Sequence, residues 1–174
     1  FTEGVARGAF KLMAYKDEYE VARLFAEGDF LRKLDDQFAG PYRIKFHLAP
    51  PLLARTDPAS GRPEKMTFGP WMLSVFRLLA KCRGLRGSPF DPFGYLAERR
   101  AERQLIKDYE AMVATVGDKL TAENHEIAIE LARLPETIRG YGPIKDKSVE
   151  TANNTRADLL NRLEHPLPQR NAAA

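Results

Sequence analysis

The chain has 174 residues, 44% of them hydrophobic and ten of them Phe, enough for one domain with a packed core, and its formal net charge is only +3. Its single cysteine, Cys82, excludes an internal disulfide and a CxxC thiolate framework, and His47, His125 and His165 do not pair at ligand spacing, so no metal site is expected. No apolar run is long enough to span a bilayer and no secretory leader opens the chain, so a cytoplasmic protein with no membrane partner is expected.

The chain opens at Phe1 with a helical pattern already running by Val5, as a piece of a longer polypeptide would. That pattern predicts a first helix from about residue 4 to Ala26. Phe10, Met13, Val21 and Leu24 form one apolar strip and Leu12, Tyr15 and Tyr19 another on the opposite side, which is the signature of a central, sandwiched helix. Asp17 falls in the middle of the first strip. Gly28 and Asp29 read as a stop and an N-cap, followed by a short helix to Phe38 that Gly40 and Pro41 end.

Residues 42–48, YRIKFHL, alternate Tyr42, Ile44, Phe46 and Leu48 with Arg43, Lys45 and His47, a period of two that predicts a strand. Its only nearby partner is KMTF at 65–68, across a proline-rich excursion, so a two-stranded hairpin inserted in a helical body is expected. A helix follows, with Pro70 in its first turn, Trp71, Val75, Leu78 and Leu79 as its buried side, and Gly84 at its end. A turn-rich lead and a long helix from Pro92 to Val116 come next. Another helix, capped near Thr121 and Asn124, runs to Leu134, and after a glycine-rich break at 140–142 comes a final helix. Residues 166–174 read as disorder or a chain boundary. The expected fold is mainly α: a single helical unit over 1–165 with a central helix and a small two-stranded hairpin.

An acid in an apolar strip needs a cation, and the basic ridge of the long helix, Arg99, Arg100 and Arg103, or else Arg139, offers one. A structural ion pair is favoured over proton transfer for Asp17, and Asp17→Asn is then expected to destabilise folding by about 1–3 kcal/mol. The Arg43/Lys45/His47 face suits either an anionic partner or a solvated edge that deters strand pairing. FDPFGY (90–95) and IRGYGPIK (138–145) mix aromatics with Gly and Pro. Arg139 beside Tyr141 could hold a carboxylate or phosphate, or the two loops are turns whose rings cover the core. GDK at 117–119 with Asn153 and Asn154 lacks the second glycine of a magnesium–diphosphate motif, and no GxxxxGK, GxGxxG or GxSxG occurs, so no independent enzyme is expected.

The wording of five stretches is more specific than these periodicities. FKLMAYKDEYEVARLF (10–25), FHLAPPLLAR (46–55), FGPWM (68–72), LRGSPFDPFGYLAERRAER (85–103) and LPETIRGYGPIK (134–145) together resemble the C-terminal domain of the fused, single-chain indolepyruvate ferredoxin oxidoreductases, over about residues 5–145. Those enzymes belong to the thiamine diphosphate-dependent 2-oxoacid:ferredoxin oxidoreductases. The resemblance implies a non-catalytic accessory domain. Thiamine diphosphate, magnesium and iron–sulfur clusters belong to other parts of the parent or its partners, and none of its catalytic motifs carries over onto this chain. The partners it implies are the catalytic domains of the same polypeptide, a second protomer, and ferredoxin or coenzyme A. Residues 46–107 (eleven Lys/Arg, five Asp/Glu) are basic against an acidic 108–144 (three and seven), a polarity that can dock a partner or be satisfied internally, and the basic stretch from Arg77 to Lys107 with the Arg43/Lys45/His47 face is where such contacts are expected. The alternative is a nucleic-acid-binding or small-anion-binding helical module, suggested by a pI near 9.0 and the arginine-rich helix. Nucleic acid is the poorer fit, because Glu98 and Glu102 interleave with the arginines.

Overall fold

The computed structural model describes residues 1–50, 53–55 and 63–165. It is mainly helical with one two-stranded antiparallel sheet, as the sequence predicts. Seven α-helices are described: α1 (Thr2–Met13), α2 (Glu18–Ala26), α3 (Phe30–Gln37), α4 (Met72–Lys81), α5 (Ala97–Asp118), α6 (His125–Arg133) and α7 (Pro143–Glu164). The strands are β1 (Phe46–Leu48) and β2 (Met66–Phe68). Short 3-10 turns follow α4 and α6. Among the described residues no helix is long and apolar enough to cross a membrane. Most of the excursion between the strands and the tail at 166–174 lie outside the described residues.

Where the sequence suggests one unit over 1–165, the contacts cluster into two, one of Phe1–Tyr15 with the chain from Arg100 onward and one of Lys16–Arg99. The first unit is built on α1, α5, α6 and α7. Tyr109, Met112 and Val116 face inward from α5, at a spacing that keeps them on one side of the helix. They meet Ala128 and Leu131 of α6 and Ala152, Leu159 and Leu163 of α7. Asn124, expected as a cap, makes no side-chain cap bond. Its amide instead folds the preceding turn, accepting from Thr121 N at 2.8 Å and donating to the Lys119 carbonyl at 2.8 Å.

The second unit packs α2 on α4, with Ala22 and Ala80 fully buried and an aromatic cluster beside them. Phe25 stacks on Phe76 at 5.1 Å and meets Phe46 edge-on at 5.4 Å, while Phe46 meets Phe76 edge-on at 5.3 Å. Edge-to-face and offset pairs of this kind add about 0.5–1.5 kcal/mol each beyond area burial. The hairpin enters the core through β1, where Phe46 pairs with Phe68 and Leu48 with Met66 in antiparallel register. The strand expected over 42–48 is shorter, Phe46–Leu48: Phe46 lies inside and His47 outside, Arg43 and Lys45 before it are exposed, and Tyr42, expected on the inner side, is exposed too.

Two expectations are corrected. The helix expected over 4–26 is two helices, broken at residues 14–17, so the two strips do not belong to one sandwiched rod. Leu12 is buried in the first unit's core, Tyr19 is buried in the second unit, and Phe10 and Met13 are exposed. The break has a local cause: Asp17 has extended ψ and its carboxylate accepts the Glu20 N–H, the N-cap geometry that starts a new helix. On α4 the buried side is Met72, Phe76 and Ala80, whereas Trp71, Val75 and Leu78, expected inside, are exposed. The helix is apolar on both faces, so periodicity alone could not choose between them.

Candidate functional site

The described residues bury two carboxylates, Asp17 and Asp91, each only 3% exposed and both in the second unit. Buried acids are the usual place to look for chemistry. Asp17 lies at the head of α2, with Oδ1 accepting the Glu20 N–H at 2.8 Å. The Arg86 guanidinium closes on it from 69 residues downstream, Nη2 on Oδ1 at 2.7 Å and Nε on Oδ2 at 2.6 Å, a two-pronged pair.

Asp91 sits in the loop between the turn after α4 and the start of α5. Its Oδ2 accepts Gly87 N–H at 2.9 Å, and its Oδ1 accepts Phe93 N–H at 3.1 Å and the Tyr19 hydroxyl at 3.1 Å. Gly94 N–H also bonds this carboxylate. A Cβ at Gly94 would stand 2.7 Å from Asp91 Oδ2, so the backbone can approach the acid this closely only as glycine. Burial pushes the Asp91 carboxyl up, but the hydrogen bonds from Gly87, Gly94, Tyr19 and Phe93 outweigh it and hold the carboxyl below its ordinary value. Tyr19 is pushed up to about 12, first by burial and then by its bond to Asp91, so it remains a hydroxyl donor. Its ring meets Phe93 edge-on at 5.3 Å.

These groups are fully engaged in local structure. Asp17 starts a helix and clamps Arg86; Asp91 ties a loop to α2 through Tyr19. A general acid or base needs a lone pair or proton aimed at a reactant, and the bonds that Asp17 and Asp91 accept here come from backbone amides, Tyr19 and Arg86. Among the described residues no group of three or more His, Cys, Asp or Glu stands together in a way that could hold a metal.

The cation found on Asp17 is Arg86 rather than one of those expected. Arg99 stands 3.4 Å from Glu18, and Glu98 is also within ion-pair range of it. Burial raises the Glu18 carboxyl, and Arg99 offsets part of that rise. Arg100 is exposed, and Arg103 is half-buried. Arg139 is exposed on the first unit, where its backbone N–H donates to Ser148 Oγ at 3.1 Å. It borders a shallow, open groove of ≈ 670 Å³ together with Glu130, Arg133, Glu136, Thr137 and Leu159. The groove carries two acids and two arginines, so it presents no net field to an anion. Tyr141 is exposed and is not among its lining residues. On the hairpin, Arg43 and Lys45 are exposed, and His47 Nδ1 is 3.1 Å from Thr67 Oγ1 on the paired strand.

Arg86 as the partner of Asp17 limits what the pair contributes, because its side chain is 42% exposed and screened by water. Asparagine keeps the cap but loses the charge, whereas alanine loses both. Chemical denaturation is expected to find Asp17→Asn destabilised by about 0.5–1 kcal/mol, less than the sequence suggests, and Asp17→Ala by about 2 kcal/mol. Equal losses for the two variants would mean that the cap contributes nothing.

A family profile described as a family of unknown function, DUF6537, matches residues 1–158. Neither a curated protein nor a solved structure matches the chain.

Proposed function

We propose that this chain, which belongs to the family of unknown function DUF6537, is a non-catalytic accessory and assembly domain. On the resemblance of its sequence, the parent is a cytoplasmic indolepyruvate ferredoxin oxidoreductase, whose other domains bind thiamine diphosphate and carry out the coenzyme A-dependent oxidative decarboxylation of aryl pyruvates. The observation that supports a non-catalytic role is that Asp17, Tyr19 and Asp91 are engaged by a helix cap, loop amides, one another and one arginine. Residues with the look of catalytic groups are occupied in holding the second unit together. A nucleic-acid module is disfavoured on the same grounds, since Glu18 and Glu98 neutralise Arg99 and Glu102 takes Lys145.

Turnover of indolepyruvate with ferredoxin or a viologen dye, by the full-length parent with and without residues 1–174, tests the reading. Deletion is expected to change the mass in solution or the thermal stability, while the enzyme that remains assembled keeps at least about a tenth of its turnover, a loss of no more than about 1.4 kcal/mol in the barrier. Loss of turnover beyond that, with mass and thiamine diphosphate content unchanged, would overturn it.

A further inference from the structure

We infer that the outward face of α4 is a docking surface for an acidic protein surface with an apolar centre. Trp71, Val75 and Leu78 are 59%, 42% and 66% exposed. At about 100° per residue they fall within one narrow stripe, opposite Phe76 and Ala80, which face the core. Scattered exposed apolar residues need no explanation, but three aligned large ones on a helix already anchored by its other face form a patch. Trp71 makes an edge-on contact with Phe68 at 5.9 Å, which favours one orientation of its ring and lowers the ordering cost of binding. A tryptophan with aliphatic neighbours and an arginine beside it is the composition found at the energetic centre of protein interfaces.

Charge decides what covers it. From Lys65 to Phe90 the chain carries five cations, Lys65, Arg77, Lys81, Arg83 and Arg86, and no acid. Arg83 and Arg86 are answered within the unit by Glu27 and Asp17. Arg77 and Lys81, which with Ser74 run along one flank of the stripe, are in no ion pair among the described residues. An acidic occupant would meet these two cations, where a basic one would be repelled. A second copy docked by the same face would bring two cationic flanks together, a like-charge arrangement that disfavours it. An anionic membrane meets the charge but not the shape, since interfacial helices present a long apolar side and α4 has already buried one of its own. The inference does not depend on which enzyme the parent is.

Trp71 is the only tryptophan in the chain, so its fluorescence reports this face directly. The probe is an amphipathic helical peptide of about 18 residues with Leu on one side and Glu on the other, compared with twins carrying Gln or Lys in place of Glu. Titrated against the 174-residue chain, the Leu/Glu peptide is expected to give a saturable blue shift. The Gln twin binds about tenfold more weakly, and the gap closes as salt rises from about 0.05 to 0.5 M. Arg77→Glu with Lys81→Glu, both exposed and thus neutral to folding, should abolish the preference for Glu, and Leu78→Ser should weaken all three peptides. The inference is overturned by no shift with the Leu/Glu peptide, or by equal shifts with Glu and Gln. A shift that grows with protein concentration alone would assign the face to self-association, and one seen with phosphatidylglycerol vesicles but not with peptide would assign it to a membrane; either result overturns the inference.

Discussion

Replacing Asp91 by alanine is expected to destabilise the protein by about 3–5 kcal/mol, a larger loss than that of Asp17→Ala. Four donors converge on this carboxylate: the amides of Gly87, Phe93 and Gly94 and the hydroxyl of Tyr19. Alanine strips the acceptor from all of them inside a site that is 3% exposed to water. Each orphaned buried donor costs about 1–3 kcal/mol, less whatever the loop recovers by opening to solvent. Asp91→Asn keeps one oxygen but turns an amide N–H₂ toward other donors, so about half the loss is expected. Urea denaturation of the three proteins checks the ranking; an Asp91→Ala variant within about 1 kcal/mol of the native protein would mean that the loop contributes nothing to folding.

The same residue has a pH signature. Its folded pKa lies below the unfolded value, so its contribution is complete above the ordinary aspartate range, around pH 4, and is lost as pH falls through the folded pKa. Glu18 works in the opposite direction. Burial raises its pKa, so its contribution is present below the ordinary glutamate value and lost as pH rises through the raised one. Acid titration of stability should therefore lose steepness in Asp91→Ala and gain it in Glu18→Gln.

The sequence disclosed whatever is written in neighbouring residues. Alternation through residues 42–48 pointed to the strand, of which Phe46–Leu48 forms, with Phe46 inward and His47 outward, because side-chain direction in a strand follows a period of two; residues 42–45 stay outside it, and Tyr42, on the apolar side of the alternation, is exposed. The break before α2 was also written there, as Asp17 followed three residues later by Glu20, an acidic form of the capping box. Apolar spacing carried on across it and hid the signal. Arg86 could not be found this way: it reaches Asp17 only because the chain turns back after α4, a long-range event with no local trace. Asp91 stood in plain view within FDPFGY, where an aspartate before proline accepts the amide two residues on, Phe93 N–H, as an Asx-type turn. The aromatics beside it drew the reading instead.

Gly8→Ala should be nearly as damaging, at about 3 kcal/mol, although it adds one methyl group to a helix that would otherwise favour alanine over glycine. A Cβ at this position would stand 2.3 Å from the Tyr109 hydroxyl oxygen and 2.5 Å from the Ala132 carbonyl oxygen. Those two atoms are hydrogen-bonded to each other at 2.7 Å, and the hydroxyl also lies 3.3 Å from the Val5 carbonyl, so Tyr109 ties α1, α5 and α6 at one point. The methyl cannot be accommodated by a rotamer change alone, since one of its neighbours is backbone. Either α1 lifts away or Tyr109 leaves, and the second course abandons a buried carbonyl as well as the tyrosine's own hydroxyl. Tyr109→Phe separates the two contributions: it removes the hydroxyl and should by itself cost about 1–2 kcal/mol. In the Tyr109→Phe background the Ala132 carbonyl still blocks the new methyl, so Gly8→Ala should keep part of its cost, about 1–2 kcal/mol. A thermal melt of the four proteins completes the cycle. Full additivity would place the strain at the backbone, and complete rescue would place it at the hydroxyl.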